Sequence, residues 1–370
     1  MSLRSIKDWK SVARVRNWYA RFERPISSLS LVGGFVFDAL TLQRVDSFWD
    51  NFWVVAHLLI VAVCIVLINR RDLKIDDMKN PARYHFWVVN VLQFFFGGLL
   101  STYLVFYFRS GDILIDWPFV LLLIIAFWAN ESFKKEYERL SFQIVLFYLS
   151  LFAFAIFLVP VILHEISPTV FVISGIASLV CMWIFLKILA YFTEDKVRKN
   201  RRVILLSIGA IFVLVNILYF NDLIPPIPLS LKDSGVYHSI QRDLTTGDYI
   251  VQYEQSNWYD FFNLYDDFHA STTDYVYVYS AIFSPPQFNT AVIDHWQYYD
   301  AVKKKWINEG QISLSVAGGR DGGFRTYSRK DGLIPGRWRV NVTTESGQTI
   351  GTIRFTIVAP PGGTLVTGTK

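Results

Sequence analysis

The chain has 370 residues, 17% of them aromatic, with a formal net charge of +5. Its positive mean hydropathy of +0.32 excludes an ordinary soluble globular protein. The charge divides unevenly: residues 1–220 carry 23 bases and 16 acids, residues 221–370 carry 13 and 15. The basic surplus thus belongs to the apolar half, as membrane-flanking loops require, and lends no support to a nucleic-acid partner. Both cysteines, Cys64 and Cys181, fall in apolar runs and read as small hydrophobes. No cleavable signal peptide is expected, because a long charged tail precedes the first apolar run.

In chain order, residues 1–25 come first. On a helical wheel Lys7, Lys10, Arg14, Arg21 and Arg24 share one arc; Trp9, Val12, Val15, Trp18, Tyr19 and Phe22 share the other, with Arg16 the exception. This predicts a cytoplasmic basic amphipathic helix lying on the anionic inner leaflet. Residues 26–220 then hold seven apolar runs, at about 26–43, 50–69, 86–108, 115–130, 141–164, 169–192 and 203–220. The first, with Gly33–Gly34 and Asp38, would also suit a re-entrant loop. Charge argues for a crossing. The tail and the 70–85, 131–140 and 193–202 loops carry 20 Lys and Arg, whereas the alternate loops carry 2, Arg44 and Arg109. That asymmetry places the basic loops in the cytoplasm and, after seven crossings, residues 221–370 on the far side.

Beyond Asn221 the period changes. The Pro-rich linker 221–229 reads as a stiff extended stalk. Alternation then marks strands: Trp338, Val340 and Val342; Ile353, Phe355 and Ile357; Ile312, Leu314 and Val316; and 275–283 with Tyr275, Tyr277 and Tyr279 on one face. Turn signals at Gly318–Gly319, Gly322–Gly323, Pro335–Gly336 and Ser346–Gly347 separate them. The expected fold is a multi-pass α-helical membrane domain followed by an all-β, immunoglobulin-like sandwich over 230–358, with a disordered tail at 359–370.

Two sets of residues are candidate sites. Asp38 and His57 lie at matched depths near the outer ends of the first two spans, and ionisable groups in hydrocarbon are costly. They read either as a structural hydrogen bond or as the centre of transport or lipid-linked chemistry. The glycine-rich connection 316–330 carries Arg320, Arg325, Arg329 and Lys330 and fits no phosphate-loop pattern; it reads first as a solvated hairpin and second as an anion site, in which Arg320 and Arg325 would matter most. Trp258 and Trp306 could contribute to a sugar-stacking platform, or fill the core. The histidines His238, His269 and His295 show no metal spacing, and no catalytic signature or cofactor loop is visible. Neither a cofactor nor a metal is therefore expected.

The C-terminal residues His295-Trp296, Trp306, Gly318-Gly319-Arg320, Phe324-Arg325-Thr326-Tyr327-Ser328 and Pro335-Gly336-Arg337-Trp338-Arg339-Val340, closing with Gly347 and Ile350-Gly351, resemble a bacterial family of domains of unknown function, DUF2914. The resemblance implies a Gram-negative inner-membrane protein with a periplasmic domain and brings no activity with it. The leading expectation is a non-enzymatic envelope protein, seated in the lipid bilayer, whose sandwich binds a glycan, peptide or protein. The alternative is a membrane-domain function with the sandwich as accessory.

Overall fold

The computed structural model describes residues 33 and 35–370, apart from 43–46, 71–80, 111–112, 134–135, 138, 256–262, 287, 320–321 and 361. The predicted amphipathic helix over 1–25 lies outside the described residues. Six helices are described: α1 (35–41), α2 (Phe48–Asn69), α3 (Pro81–Ser110), α4 (Ile113–Ser132), α5 (Leu140–Leu163) and α6 (Pro168–Phe220). Four, α2, α3, α5 and α6, are long and apolar enough to cross a membrane; α4 has a shorter apolar stretch, Asp116–Asn130. Their starts follow ordinary capping chemistry. The Ser47 hydroxyl accepts from Asp50 N–H, and the Ser167 hydroxyl accepts from Val170 N–H with Pro168 in the first turn.

Seven spans are not supported by this helix count. Of the first predicted span, 26–43, the described residues include the short α1, and the sixth and seventh are joined in the 53-residue α6. Yet α6 is not a rod. Thr193 leaves the helical region at φ −147° and ψ 49°. The rings of Phe171 and Tyr219 stack at 3.5 Å, although a straight helix would hold them about 70 Å apart at 1.5 Å per residue. The helix therefore folds back at Thr193, beside Glu194–Arg202, where charged residues interrupt the apolar run.

The chain divides into two compact units. One takes residues up to Val105 with Leu121–Phe154 and Ser178–Phe212; the other takes Phe106–Val120, Ala155–Ala177 and Val213–Lys370. In the first unit a buried polar chain ties the helices together. Gln93 Nε2 donates to the Asn130 carbonyl (3.0 Å), and the Tyr137 hydroxyl donates to Asn130 Oδ1. Asn69 Nδ2 donates to Gln143 Oε1 (2.7 Å), while Gln143 Nε2 reaches the Tyr137 carbonyl. Lys196 Nζ adds a contact to Asn69 Oδ1 at 3.5 Å. Side chains this deeply buried need such partners, since an orphan amide costs ~1–3 kcal/mol.

The second unit contains the β-rich region, with eleven strands in three sheets among the described residues. The first sheet has the order β1 (Ser230–Tyr237), β5 (Val276–Phe283), β8 (Phe324–Lys330). The second has five strands: β4 (Asp266–His269), β10 (Thr349–Val358), β9 (Gly336–Thr344), β6 (Asn289–Asp300) and β7 (Lys305–Ala317). The third sets β11 (Leu365–Thr369) beside β3 (Tyr249–Glu254) and β2 (Ser239–Arg242). The first two sheets share one core, built on Val276, Val278 and Ile282 from β5 against Trp296, Trp338, Val340, Val342 and Phe355. Each such side chain contributes ~1.5–3 kcal/mol on burial. Gly336 holds φ +135°, and a Cβ there would lie 2.9 Å from Tyr298 Cε2, so glycine is required where β9 begins.

Three expectations are corrected. An immunoglobulin-like arrangement has two antiparallel sheets, whereas here β4 pairs parallel with β10 and a third sheet is present. The stalk at 221–229 is turned rather than extended, because Ile224, Ile227 and Leu229 bury their side chains. The tail over 359–370 is not wholly irregular: it supplies β11, which pairs with β3 from Leu365↔Glu254 to Thr369↔Ile250.

Candidate functional site on the five-stranded sheet

Alternation along β6, β9 and β10 sends Val292, Trp296, Trp338, Val340, Ile353 and Phe355 into the core. The opposite face therefore carries the intervening residues. Register sets Gln297 beside Arg339 and Arg339 beside Arg354. The next row sets His295 beside Asn341 and Asn341 beside Thr352, while Tyr299 pairs with Trp306 of β7. Arg339 is anchored twice: its Nε donates to Gln297 Oε1 at 2.7 Å, and its guanidinium lies 4.3 Å from the Trp306 ring centre. Trp306 in turn packs against Tyr299 at 5.2 Å. Arg337 lies over the Tyr265 ring at 5.4 Å. Burial holds the His295 imidazole below its usual range, so it faces this surface as a neutral ring. A planar arginine stacked on an aromatic is oriented for two-point recognition of an anion.

The structure distributes the predicted site residues unevenly. Trp306 belongs to this face. Arg325 does not: its Nη1 donates to Asp248 Oδ1 (2.6 Å) and to the Lys370 carbonyl (3.0 Å), pinning β8 to the third sheet. Arg329 lies over Tyr275, and Lys330 Nζ donates to the Glu309 carbonyl. Arg320 and Trp258 lie outside the described residues. In the helical unit, Asp38 is within electrostatic reach of Ser101 and His57. No hydrogen bond joins Asp38 to His57 among the described residues. His57 Nδ1 instead donates to the Trp53 carbonyl (2.7 Å), and its ring rests against Gly98, where a Cβ would lie 3.2 Å from Nε2.

Two groups escaped sequence reasoning. The amide chain of Asn69, Asn130 and Gln143 sits singly in three separate apolar runs, and no spacing rule joins them. Arg339 and Arg354 were visible as the outward half of an alternating pattern, but their adjacency depends on the β9–β10 register.

A cluster beside the third sheet is structural in kind. Glu254 accepts from His269 Nδ1 (2.7 Å), from the His269 N–H (2.9 Å) and from His238 Nε2 (3.0 Å). Burial pushes the Glu254 carboxyl up, but these hydrogen bonds outweigh it and hold it below the usual range. No group of three potential ligands suited to a metal ion occurs among the described residues.

Comparison with known proteins adds little detail. No curated protein matches the chain. The solved structure of Pseudomonas fluorescens alkylpurine DNA glycosylase AlkC bound to DNA containing an abasic site analog aligns with 85% of this chain and 100% of that one. Identity is 11% and the TM-score 0.22, a likeness too slight to bear on fold or function. Residues 289–357, from the start of β6 almost to the end of β10, match the family described as Protein of unknown function (DUF2914).

Proposed function

We propose that the chain is a bacterial inner-membrane protein whose basic loops face the cytoplasm and whose β-rich region binds a glycan, peptide or protein of the periplasm. The observation that carries the binding reading is the outward face of the five-stranded sheet. Its Arg339–Trp306–Tyr299 stack and neighbouring Arg337 and Arg354 serve no core, yet they lie within the family-matched strands. Four long apolar helices and the 20-to-2 charge asymmetry support the membrane placement. Folding back at Thr193 gives α6 two arms, and counting them separately makes seven crossings if α4 and residues 26–43 also cross.

The test is a photo-crosslinking residue at exposed Gln311, which neighbours His295 on this face, with exposed Leu244 as control. In whole cells the first position should capture a discrete envelope component and the second should not. Equal capture, or none from Gln311, would contradict the binding reading.

A membrane-domain function is the second reading, favoured by the approach of Asp38 to Ser101 and His57. It requires Asp38→Asn to abolish a phenotype while protein abundance is unchanged. If Asn and Leu at this position are tolerated equally, that reading fails.

A further inference from the structure

Strand β7 stands at the end of the five-stranded sheet, hydrogen-bonded among the described residues to β6 alone. Its outer edge can be traced residue by residue. Gly318 N–H donates to the Phe288 carbonyl at 2.9 Å, which makes 288 and 318 a hydrogen-bonded pair. From there to Trp296↔Gly310 the register is unbroken, and antiparallel pairs alternate between bonded and non-bonded. Gln311, Ser313, Ser315 and Ala317 therefore turn their N–H and C=O groups away from β6. All four residues are exposed, and no backbone partner meets these groups among the described residues. The Glu309 carbonyl, at the bulge where the register shifts, already accepts from Lys330 Nζ at 2.6 Å, so the open stretch begins at Gln311.

Strand edges are ordinarily blunted by lysine, proline or an inward charge, because an unpaired edge recruits another strand. The run from Gly310 to Ala317 contains none of these. Its order is instead symmetric about Ser313: polar, apolar, serine, apolar, polar. Antiparallel pairing with the same strand of a second copy sets Ser313 opposite Ser313, Ile312 opposite Leu314 and Gln311 opposite Ser315. Apolar then meets apolar on the core side, where Ile312 and Leu314 are half-buried against the core, and polar meets polar on the outward face. No like charges are brought together. A two-fold interface requires a surface that complements itself, and this stretch does so.

We propose that the outer edge of β7 is a self-association site, occupied by β7 of a second copy of this chain paired antiparallel about Ser313. The two five-stranded sheets then continue as one, and the open backbone groups of Gln311, Ser313 and Ser315 in each copy find partners in the other.

The experiment is disulfide trapping of the full chain in native membranes, with Cys64 and Cys181 replaced by alanine. Facing Cα atoms in a hydrogen-bonded antiparallel pair lie about 5.5 Å apart, within the roughly 4.4–6.8 Å that a disulfide spans. Ser313→Cys should therefore give a covalent dimer on mild oxidation. Ser315→Cys alone should not, since its facing residue is Gln311, but co-expressed with Gln311→Cys it should. Val302→Cys, in the exposed β6–β7 turn, controls for random collision. Adding Ser315→Pro, which removes an N–H on the open side and leaves the β6 ladder intact, should cut the Ser313→Cys dimer several-fold. A Ser313→Cys dimer no more abundant than the Val302→Cys one, or equal trapping by Ser315→Cys alone, would overturn the pairing. So would a product at position 313 whose mass is not that of two copies, since the edge would then belong to another partner. Capture of a second copy by the Gln311 photo-crosslinker counts for this inference and not for the glycan, peptide or protein binding proposed above, so the two can fail separately.

Discussion

Asp294 shows how one residue can work against the fold that holds it. It lies on the inward face of β6 between Val292 and Trp296, fully buried, where an apolar residue would be expected. Its Oδ2 accepts from the Ser328 hydroxyl at 2.6 Å, and the Trp296 indole donates to the same serine at 3.1 Å. Oδ1 has no partner among the described residues. Burial pushes the carboxyl up to about 6, against the lowering effect of the Ser328 hydrogen bond. An acid raised from 3.8 to about 6 binds its proton more tightly in the folded state. Stability is then greatest below the unfolded value, falls as pH rises from about 4 to 6, and is lower by up to ~3 kcal/mol above pH 7. The β-rich region should accordingly melt at a higher temperature at pH 5 than at pH 7.5. Asp294→Asn should raise stability at pH 7.5 and flatten the difference, as thermal scans at the two pH values would show. A domain that melts identically at both would contradict this. The sequence conceals the effect, because His-Trp after Ile-Asp reads as ordinary alternation until the register places Ser328 opposite.

At the scale of elements, the strands were the most legible part. Alternation at 337–342 and 352–357 located β9 and β10, and Pro335–Gly336 and Ser346–Gly347 marked their turns, because a two-residue period needs no tertiary knowledge. Connections were less legible. Leu365–Thr369 resembles a loose tail of Thr and Gly, and becomes β11 only because β3 offers it a free edge. The linker resembles a stalk, and turns because its isoleucines find apolar partners. Hydropathy divides α6 into two apolar runs, and the break between them in the structure is a single non-helical residue, Thr193, rather than a loop.

The amide chain between helices yields a direct prediction. Gln143→Leu would leave Asn69 Nδ2 and the Tyr137 carbonyl without this partner in an apolar setting. Individual polar contacts between membrane helices contribute ~0.6–1.7 kcal/mol, and Asn69 Nδ2 keeps only its bond to the Ile65 carbonyl. The variant should lower the melting temperature in detergent by several degrees, whereas Gln143→Glu at low pH, still able to hydrogen-bond, should be milder. Equal melting of the Gln143→Leu variant and the wild-type chain would show that the network is dispensable.

At the scale of the whole molecule, the last residues close the β-rich region. Lys370 Nζ bonds Asp233 of β1 at 2.8 Å, its carbonyl accepts from Arg325, and its backbone pairs with Tyr249. A soluble fragment covering 228–370 should fold cooperatively, while one ending at 360 loses β11 and should melt well below it. Arg325→Gln in the longer fragment should cost no more than ~1 kcal/mol, since the Arg325–Asp248 pair is partly exposed. Circular dichroism melts of the three proteins test this, and indistinguishable curves for the two lengths would deny the closing role of β11.

The account depends above all on the β-rich region lying across the membrane from the basic loops. With Cys64 and Cys181 replaced by alanine, single cysteines at Val302, 92% exposed in the β6–β7 turn, and at exposed Lys199, after the Thr193 break, report the two sides. A membrane-impermeant maleimide applied to intact spheroplasts should label the cysteine at 302 and spare the one at 199 until the membrane is disrupted. Labelling at 199 but not at 302, or at both positions before disruption, would contradict the account.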